Sequence, residues 1–224
     1  MEENLQNNEV PELKDHFSLA REIWEWVYTI GIALIIVFVL KSFVFDIVRV
    51  DGPSMNPTLV NNDRLIITKL GYEPKMGDII ILDSNYKERE DYYRLYTAEN
   101  SAKKLNPIRK GLLYLSDMPK NLRKVFYVKR IVALPGDTVD IKDGKVYING
   151  ELLDEPYYDG ITTKTDYTVN YPVTVEDNHV FVMGDNRPNS KDSRSSSLGL
   201  VPFEAIEGKA QFRMWPFSDI GTIE

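Results

Sequence analysis

Residues 125–150 read VFYVKRIVALPGDTVDIKDGKVYING, and this stretch decides the fold class. Its first eight residues are mostly β-branched or aromatic, which predicts a strand. Residues 138–141 and 145–148 then alternate apolar and polar side chains around Asp143-Gly144, a pair typical of a type I′ hairpin turn. A strand followed by a tight hairpin predicts antiparallel β structure.

Similar runs, bounded by Gly, Pro, Asn or Asp, occur on both sides of this stretch. They lie at 47–50, 64–69, 78–82, 180–183 and 210–214. We therefore expect a mainly β fold with one antiparallel domain over 46–224. Within it, residues 138–178 are expected to form a small cap subdomain rich in hairpins.

Residues 85–124 interrupt the β pattern. This segment is polar and Tyr-rich, and it has ten Lys or Arg residues against five acidic ones. Its apolar residues recur at helical spacing, which predicts a helical insertion projecting from the β domain. Its positive charge favours contact with anionic lipid headgroups or a dedicated partner, and a solvated excursion without such a role is the alternative.

An apolar segment precedes the β domain. Only Tyr28, Thr29, Lys41 and Ser42 interrupt it between residues 27 and 45. About 19 helical residues span roughly 28 Å, close to the hydrocarbon core of a bilayer at about 30 Å. We predict a transmembrane anchor at 26–45 rather than a buried core helix. The acidic tail at 1–25 has the wrong charge for a cleavable signal peptide.

The composition excludes several kinds of site. The 224-residue chain has no cysteine, so it has no thiol nucleophile, disulfide or thiolate metal site. It has two histidines, His16 and His179, which argues against a Ser-His-Asp triad and a two-histidine metal site. The net charge of -7 argues against nucleic acid as a partner. We expect no metal and no cofactor.

Ser54 is a candidate nucleophile directly behind the predicted anchor. It lies in the loop GPSMNP, residues 52–57, where a glycine and two prolines restrict the backbone and can expose a side chain. A serine hydroxyl is a poor nucleophile until a base removes its proton. A purely structural turn serine is the alternative.

Lys129 is the candidate base. Lysine acts as a base only when neutral, and burial can lower its reference pKa of about 10.4 by as much as 3–5 units. Strand alternation places Lys129 on one face with Val125, Tyr127 and Ile131. A solvated lysine on an edge strand is the alternative, and this strand alone leaves both interpretations open.

Residues 184–194, GDNRPNSKDSR, follow a predicted strand directly. Their alternating Asp, Asn, Ser and Arg residues predict a loop held by Arg–carboxylate pairs, with a plain surface loop as the alternative. In the first case Ser190 could hydrogen-bond the amine of Lys129 and orient it.

Four motifs occur in a fixed order behind the anchor. They begin at Gly52, Gly77, Lys129 and Gly184 and read GPSMNPTL, GDII, KRIVALPGD and GDNRPNSKDSR. In this order they resemble bacterial type I signal peptidases, serine peptidases of family S26 that use a Ser/Lys dyad. The resemblance covers nearly the whole chain from the anchor onward, apart from the basic insertion.

The resemblance implies a role for each motif residue. Ser54 would be the nucleophile, Lys129 the general base, and Ser190 the residue that orients the amine. The backbone N–H of Ser54 would be one oxyanion donor. Some members add a hydroxyl at the position of Gly52, so the second donor is not identified.

Further roles follow from the same resemblance. The supporting residues of the site would be Arg130, Asp185, Arg187, Asp192 and Arg194, with Arg130 the partner of Asp185. The substrate would bind as an added strand over shallow apolar pockets. The pocket residues would be Val50, Met55, Leu59, Tyr127 and Val128.

The implied protein is a membrane-anchored serine endopeptidase. It would remove signal peptides from exported pre-proteins by an acyl-enzyme mechanism, cleaving after small-x-small sites such as Ala-x-Ala. It would cross the bacterial cytoplasmic membrane once, with the acidic tail inside and the catalytic domain outside. Its expected partners are pre-proteins and the lipid bilayer, with the secretion translocon as a further candidate.

Three other functions are compatible with parts of this sequence. A peptidase dedicated to one pilus or secretion system stays open, as does an inactive relative acting as an assembly chaperone. Retention of Ser54, Lys129 and Ser190 together argues against the chaperone. Self-cleaving repressors also use Ser-Lys dyads on related folds, but they lack an anchor and bind DNA.

Overall fold

The computed structural model describes residues 19–100, 108, 111–112, 116, 118–164 and 169–223. The chain forms two compact units, residues 1–42 and 43–224. Most of the predicted acidic tail, residues 1–18, lies outside the described residues.

The first unit contains the helix α1, Leu19–Val39, and the start of a π-helical turn that spans Leu40–Val44. Within α1, Arg21–Val39 has a mean hydropathy of 1.8 and is long and apolar enough to cross a membrane. The helix begins and ends earlier than the predicted range of 26–45. Its end is earlier because the alternating residues Phe45–Arg49 pair as a strand.

In the part that the structure describes, the second unit is built mainly from twelve short strands. They are β1 (Phe45–Arg49), β2 (Arg64–Thr68), β3 (Ile79–Asp83), β4 (Phe126–Ala133), β5 (Thr138–Lys142), β6 (Lys145–Ile148), β7 (Glu151–Leu152), β8 (Val173–Thr174), β9 (His179–Met183), β10 (Val201–Pro202), β11 (Ile206–Trp215) and β12 (Gly221–Thr222).

The strands form two antiparallel sheets. The larger has the order β1-β2-β11-β3-β4-β9-β10, with β12 added to β11. The smaller has the order β7-β6-β5-β8 and falls within the predicted cap region, 138–178. Asp143 and Gly144, with φ angles of 49° and 76°, join β5 to β6, so the predicted hairpin is confirmed.

The core lies on both faces of the larger sheet. Ile79 and Ile81 of β3 pack into one cluster with Leu65 and Ile67 of β2. The intervening residue Ile80 packs into a second cluster on the opposite face. A third cluster joins the two sheets: the end of β4 and alternate residues of β9 pack there against residues of the smaller sheet. Because β3 is buried on both faces, its neighbour β4 enters the interior along most of its length.

The predicted insertion begins with a second helix, α2, over Tyr86–Asn100. This part agrees with the helical spacing in the sequence. The predicted continuation around Leu105 and Leu113 lies outside the described residues. At the base of α2, Arg89 forms an ion pair with the buried carboxylate of Asp83 on β3, which ties the helix to the sheet.

Candidate active site

Ser54 lies in a loop that connects β1 to β2 and is held from both ends. Gly52 has a φ angle of 97°, a left-handed conformation that favours glycine, and its N–H donates to Asn61 Oδ1 at 3.0 Å. The carbonyl of Ser54 accepts from the N–H of Asn186 at 3.0 Å. Within the described residues the N–H of Ser54 has no acceptor, so it is available to a ligand.

Lys129 lies on β4 opposite Ile80 and is 3% exposed. Its Nζ lies 2.9 Å from Ser54 Oγ and donates to the carbonyl of Val128 at 2.8 Å. The ring of Tyr127 has its centroid 5.2 Å from the same nitrogen. The structure therefore supports the buried interpretation of Lys129, and it brings together two residues 75 positions apart in the sequence.

Burial lowers the pKa of Lys129 to about 8. The carboxylates of Asp192 and Asp185 oppose this shift, while the guanidinium of Arg194 adds to it. Desolvation acts in this direction because it penalises the ammonium form of lysine and not the neutral amine. A substantial fraction of the amine is thus neutral at mildly alkaline pH, within hydrogen-bond distance of a serine hydroxyl.

The wall behind the two residues depends on the buried ion pair between Arg130 and Asp185. Nε and Nη2 of Arg130 donate to the two carboxylate oxygens of Asp185 at 3.0 and 2.8 Å. Thr58 Oγ1 donates to the same carboxylate at 2.6 Å. The family resemblance implied the pairing of Arg130 with Asp185. Together with Thr58 this bidentate pair connects β4, the loop after β9 and the loop of Ser54.

A second set of contacts holds the loop after β9. Arg194 Nε and Nη2 donate to the carboxylate of Asp192, each at 2.8 Å. Arg187 donates to Thr162 Oγ1 at 2.8 Å and forms an ion pair with Glu155. Both arginines are almost fully buried, so these ion pairs fasten the loop from within the protein. Glu155, the partner of Arg187, was not predicted, because nothing in the sequence links it to this loop.

A cleft with a volume of about 560 Å³ opens beside Ser54 and Lys129. It is lined by residues 46–54 and 126–129 together with Ile81, Asn189 and Lys191. Of the predicted pocket residues, Val50, Tyr127 and Val128 line it. The cleft is therefore bounded by β1 on one side and by the first half of β4 on the other.

The sequence of the chain is similar to a known protein family. Residues 23–215 match the family described as Signal peptidase, peptidase S26. The chain belongs to this family. It is 34% identical over 210 residues to signal peptidase I of Bacillus licheniformis, covering 88% of this chain and 91% of that protein. It is also 34% identical over 218 residues to signal peptidase I S of Bacillus subtilis, covering 92% and 96%.

A solved signal peptidase I from Enterococcus faecalis is 26% identical and aligns over 62% of this chain and 97% of that one, with a TM-score of 0.39. The expected fold, an apolar N-terminal helix followed by an antiparallel β domain, is confirmed. The chain is a serine peptidase of the signal peptidase type, which removes signal peptides from secreted precursors. Its apolar helix is consistent with the membrane anchor of a bacterial signal peptidase I.

Two predicted pocket residues of this signal peptidase do not line the cleft. Met55 and Leu59 are 1% and 0% exposed and belong to the hydrophobic core under the loop of Ser54. The turn after Ser54 directs Met55 inward, where it holds the loop down. Val48 and Ile81, which line the cleft, were missed. The alternation of Val48 with Val50 along the chain would have indicated Val48, whereas no sequence pattern indicated Ile81.

The predicted hydrogen bond between Ser190 and Lys129 is absent. Ser190 is 7% exposed, and its Oγ has no hydrogen-bond partner among the described residues. Lys129 instead donates to the carbonyl of Val128. The backbone after β9 keeps Ser190 close to Gly184 and to the carbonyl of Ser54, but its hydroxyl does not reach the amine.

Gly184 lies at the contact between the two loops. A Cβ atom at this position would overlap the carbonyl oxygen of Ser54 and would lie 2.6 Å from Ser190 Cβ. We expect Gly184→Ala to displace Ser54 and to lower kcat/KM by about 10²-fold, the usual effect of a misplacement near 1 Å. Steady-state cleavage of a pre-protein measures this loss.

Gly221→Ala is the matched control, because a Cβ at Gly221 would meet no atom within 4 Å. Its kcat/KM should equal that of the wild type. Activity of Gly184→Ala within threefold of wild type would contradict the close packing of the two loops.

Proposed function

We propose that Ser54 and Lys129 form the catalytic dyad of this signal peptidase and act through an acyl-enzyme. The observation that carries the proposal is the 2.9 Å distance between Lys129 Nζ and Ser54 Oγ, with the lysine buried and its pKa lowered to about 8. A lowered pKa beside a hydroxyl is what a general base needs near neutral pH.

In the first half of the reaction Ser54 Oγ attacks the scissile carbonyl while Lys129 accepts the hydroxyl proton. The carbonyl oxygen becomes an oxyanion, which the free N–H of Ser54 can stabilise. The protonated Lys129 then gives its proton to the leaving amine. This breaks the amide bond and leaves the signal peptide as an ester on Ser54.

In the second half a water molecule attacks the ester, with Lys129 again accepting the proton. Collapse of the second tetrahedral intermediate releases the signal peptide as a carboxylic acid and restores the Ser54 hydroxyl. The N–H of Gly52 already donates to Asn61, so it does not serve as the second oxyanion donor in this arrangement. We assign Ser190 a positioning role, because it packs against Gly184, which itself lies beside the carbonyl of Ser54.

The shape of the cleft supports binding of an extended substrate. β1 is the edge strand of its sheet, and β9 pairs with β4 only from Arg130 onward, so residues 126–129 also present a free edge. A peptide between these edges can add backbone hydrogen bonds on either side. Val50 and Ile81 are almost fully buried, so the pockets beneath the bound peptide are shallow. Shallow pockets favour small residues at the first and third positions before the scissile bond.

We further propose a single-pass protein of the bacterial cytoplasmic membrane. The acidic N-terminal tail would lie in the cytoplasm and the β domain, with its cap and its 85–124 insertion, on the outer side. Enzyme and pre-protein would then share the bilayer, which raises their effective concentration. The lipid bilayer and the secretion translocon are the proposed partners besides the pre-proteins.

The proposed base gives a defined pH dependence. Only the neutral amine of Lys129 accepts a proton, so kcat/KM should rise about tenfold per pH unit below pH 8 and level off above it. The test is cleavage of a pre-protein with an Ala-x-Ala site by the detergent-solubilised full chain between pH 5 and pH 10, with the product identified by mass spectrometry.

A pre-protein with Tyr directly before the scissile bond is the control, and it should not be cleaved at that site at any pH. A rate that is flat from pH 5 to pH 8 would contradict Lys129 as the base. Cleavage of the Tyr-containing pre-protein at the same rate would contradict the small-x-small specificity.

A further inference from the structure

An exposed aromatic side chain lies in the cleft at a distance from the catalytic dyad. Phe126, the first residue of β4, is 51% exposed and lines the same cleft as Ser54. Lys124 Nζ lies 5.9 Å from the centroid of its ring and is itself paired with Glu207 on β11. The ammonium group of Lys124 thus lies near the ring of Phe126 and is held there by Glu207. About half of the Phe126 side chain remains exposed.

The distance along β4 shows which substrate residue reaches this ring. Three residues separate Lys129 from Phe126, which is roughly 10 Å in a strand. An extended peptide has the same rise per residue as a strand. If the residue before the scissile bond lies beside Lys129, the fourth residue before that bond lies level with the backbone of Phe126. Side chains of such a peptide alternate between the cleft and solvent. Beyond the first and third residues, the fifth is the next one that faces the cleft.

Strand alternation directs Phe126 and Val128 to the same face of β4. Val128 packs against the first core cluster and lines the cleft near Ser54. Phe126 therefore extends the apolar surface that Val128 begins on this face of β4. A half-exposed phenylalanine in this place provides apolar area that a bound substrate side chain can cover.

The charged residue at the start of the β1 side of the cleft does not require a charged partner from the substrate. The β1 side of the cleft begins with Asp46 and Ile47. The carboxylate of Asp46 forms an ion pair with Lys69 at 3.2 Å and accepts from the N–H of Ile47 at 2.8 Å. Ile47 is 49% exposed. Ile47 and Phe126 thus both offer exposed apolar surface to the cleft, and the carboxylate of Asp46 is already paired.

We propose that Phe126 forms a specificity site for a large apolar side chain at the fifth residue before the scissile bond. This inference rests on the proposed function, because it takes the direction and register of the substrate from the Ser54–Lys129 dyad. Phe126 would thereby extend substrate selection beyond the two small residues next to the cleavage point.

The test compares two pre-proteins that share an Ala-x-Ala site and differ only in Leu or Ser at the fifth residue. The detergent-solubilised full chain should cleave the Leu substrate with a kcat/KM about fivefold higher, as expected for a contact on an open apolar surface. Phe126→Ala should reduce this ratio to about one. Phe126→Leu, which keeps apolar area, should retain most of it.

Val125→Ala is the matched control. Val125 is the neighbouring residue, is 44% exposed and does not line the cleft, so its replacement should preserve the preference for Leu. The ratio is insensitive to partial loss of folded enzyme, because both substrates are cleaved by the same active molecules.

The outcomes separate this inference from the proposed function. Equal cleavage of the two substrates by wild type, or an unchanged ratio in both Phe126 variants, would overturn the specificity site and leave the dyad intact. Absence of cleavage of either substrate by folded wild type would overturn the proposed function and this inference with it.

Discussion

Lys129→Ala is expected to lower kcat/KM by at least about 10³-fold, and Ser54→Ala by a similar factor. The two atoms that exchange the proton lie 2.9 Å apart. Within the described residues no histidine approaches them: His179, the one that the structure describes, hydrogen-bonds the carbonyl of Asp177 in a different loop. Removal of the lysine amine therefore leaves the serine hydroxyl without a base.

A second substitution separates the role of base from that of a positive charge. Lys129→Arg keeps a cation at this position, but a guanidinium does not lose its proton in proteins. It should be as inactive as Lys129→Ala. If positive charge alone were needed to stabilise the oxyanion, Lys129→Arg would recover much of the activity.

The measurement is single-turnover cleavage of an Ala-x-Ala pre-protein, with Lys145→Ala as the matched lysine control. Lys145 is exposed on β6 and lies outside the cleft, so this variant should match the wild type. The double variant Ser54→Ala/Lys129→Ala should be no slower than either single variant, because the two residues act as one unit. A loss below tenfold in Lys129→Ala would place the base elsewhere.

Asp185→Asn is expected to give the largest loss of stability. Asp185 is 0% exposed and accepts two hydrogen bonds from Arg130 and one from Thr58. The amide keeps the volume of the side chain but leaves the guanidinium of Arg130 buried without its counter-charge. Breaking a buried pair in this way costs about 3–5 kcal/mol. For a domain of this size that corresponds to a decrease in Tm of about 10 °C.

Thermal unfolding of the detergent-solubilised full chain, followed by tryptophan fluorescence, measures this change. Arg94→Ala is the control, because Arg94 and Asp91 form an exposed ion pair on α2 with side chains that are 79% and 67% exposed. Exposed pairs contribute little, so this variant should unfold with the wild type.

A double variant tests the cause of the loss. Arg130→Met combined with Asp185→Leu removes both charges, and it should recover part of the stability that Asp185→Asn loses. If the double variant is less stable than Asp185→Asn, the loss arises from the altered packing of the loops and not from the unpaired guanidinium.

Much of this enzyme was predictable from short stretches of the sequence. The hairpin of β5 and β6 depends on two adjacent residues, Asp143 and Gly144, that adopt positive φ angles. The apolar helix was predictable because a membrane span requires length and composition, which any window of sequence displays. Ser54 and Lys129 were recognised by residue type and motif order, since the absence of cysteine and the scarcity of histidine left few other nucleophiles and bases.

The candidate site was less predictable where its contacts join distant strands. Met55 was expected in the cleft but lies in the core, because the turn after Ser54 reverses the direction of successive side chains. Ser190 was expected to reach Lys129, but its hydroxyl has no partner among the described residues. Glu155 was not considered, although it pairs with a buried arginine 32 positions away.

The sequence by itself determined the chemical groups, the local turns and the apolar helix of this signal peptidase, because each depends on residues close together in the chain. Only the tertiary structure decided the distance between Ser54 and Lys129, the burial that lowers the lysine pKa and the residues that line the cleft. These depend on which strands become neighbours and in which register, and burial in the assembled sheets determines both.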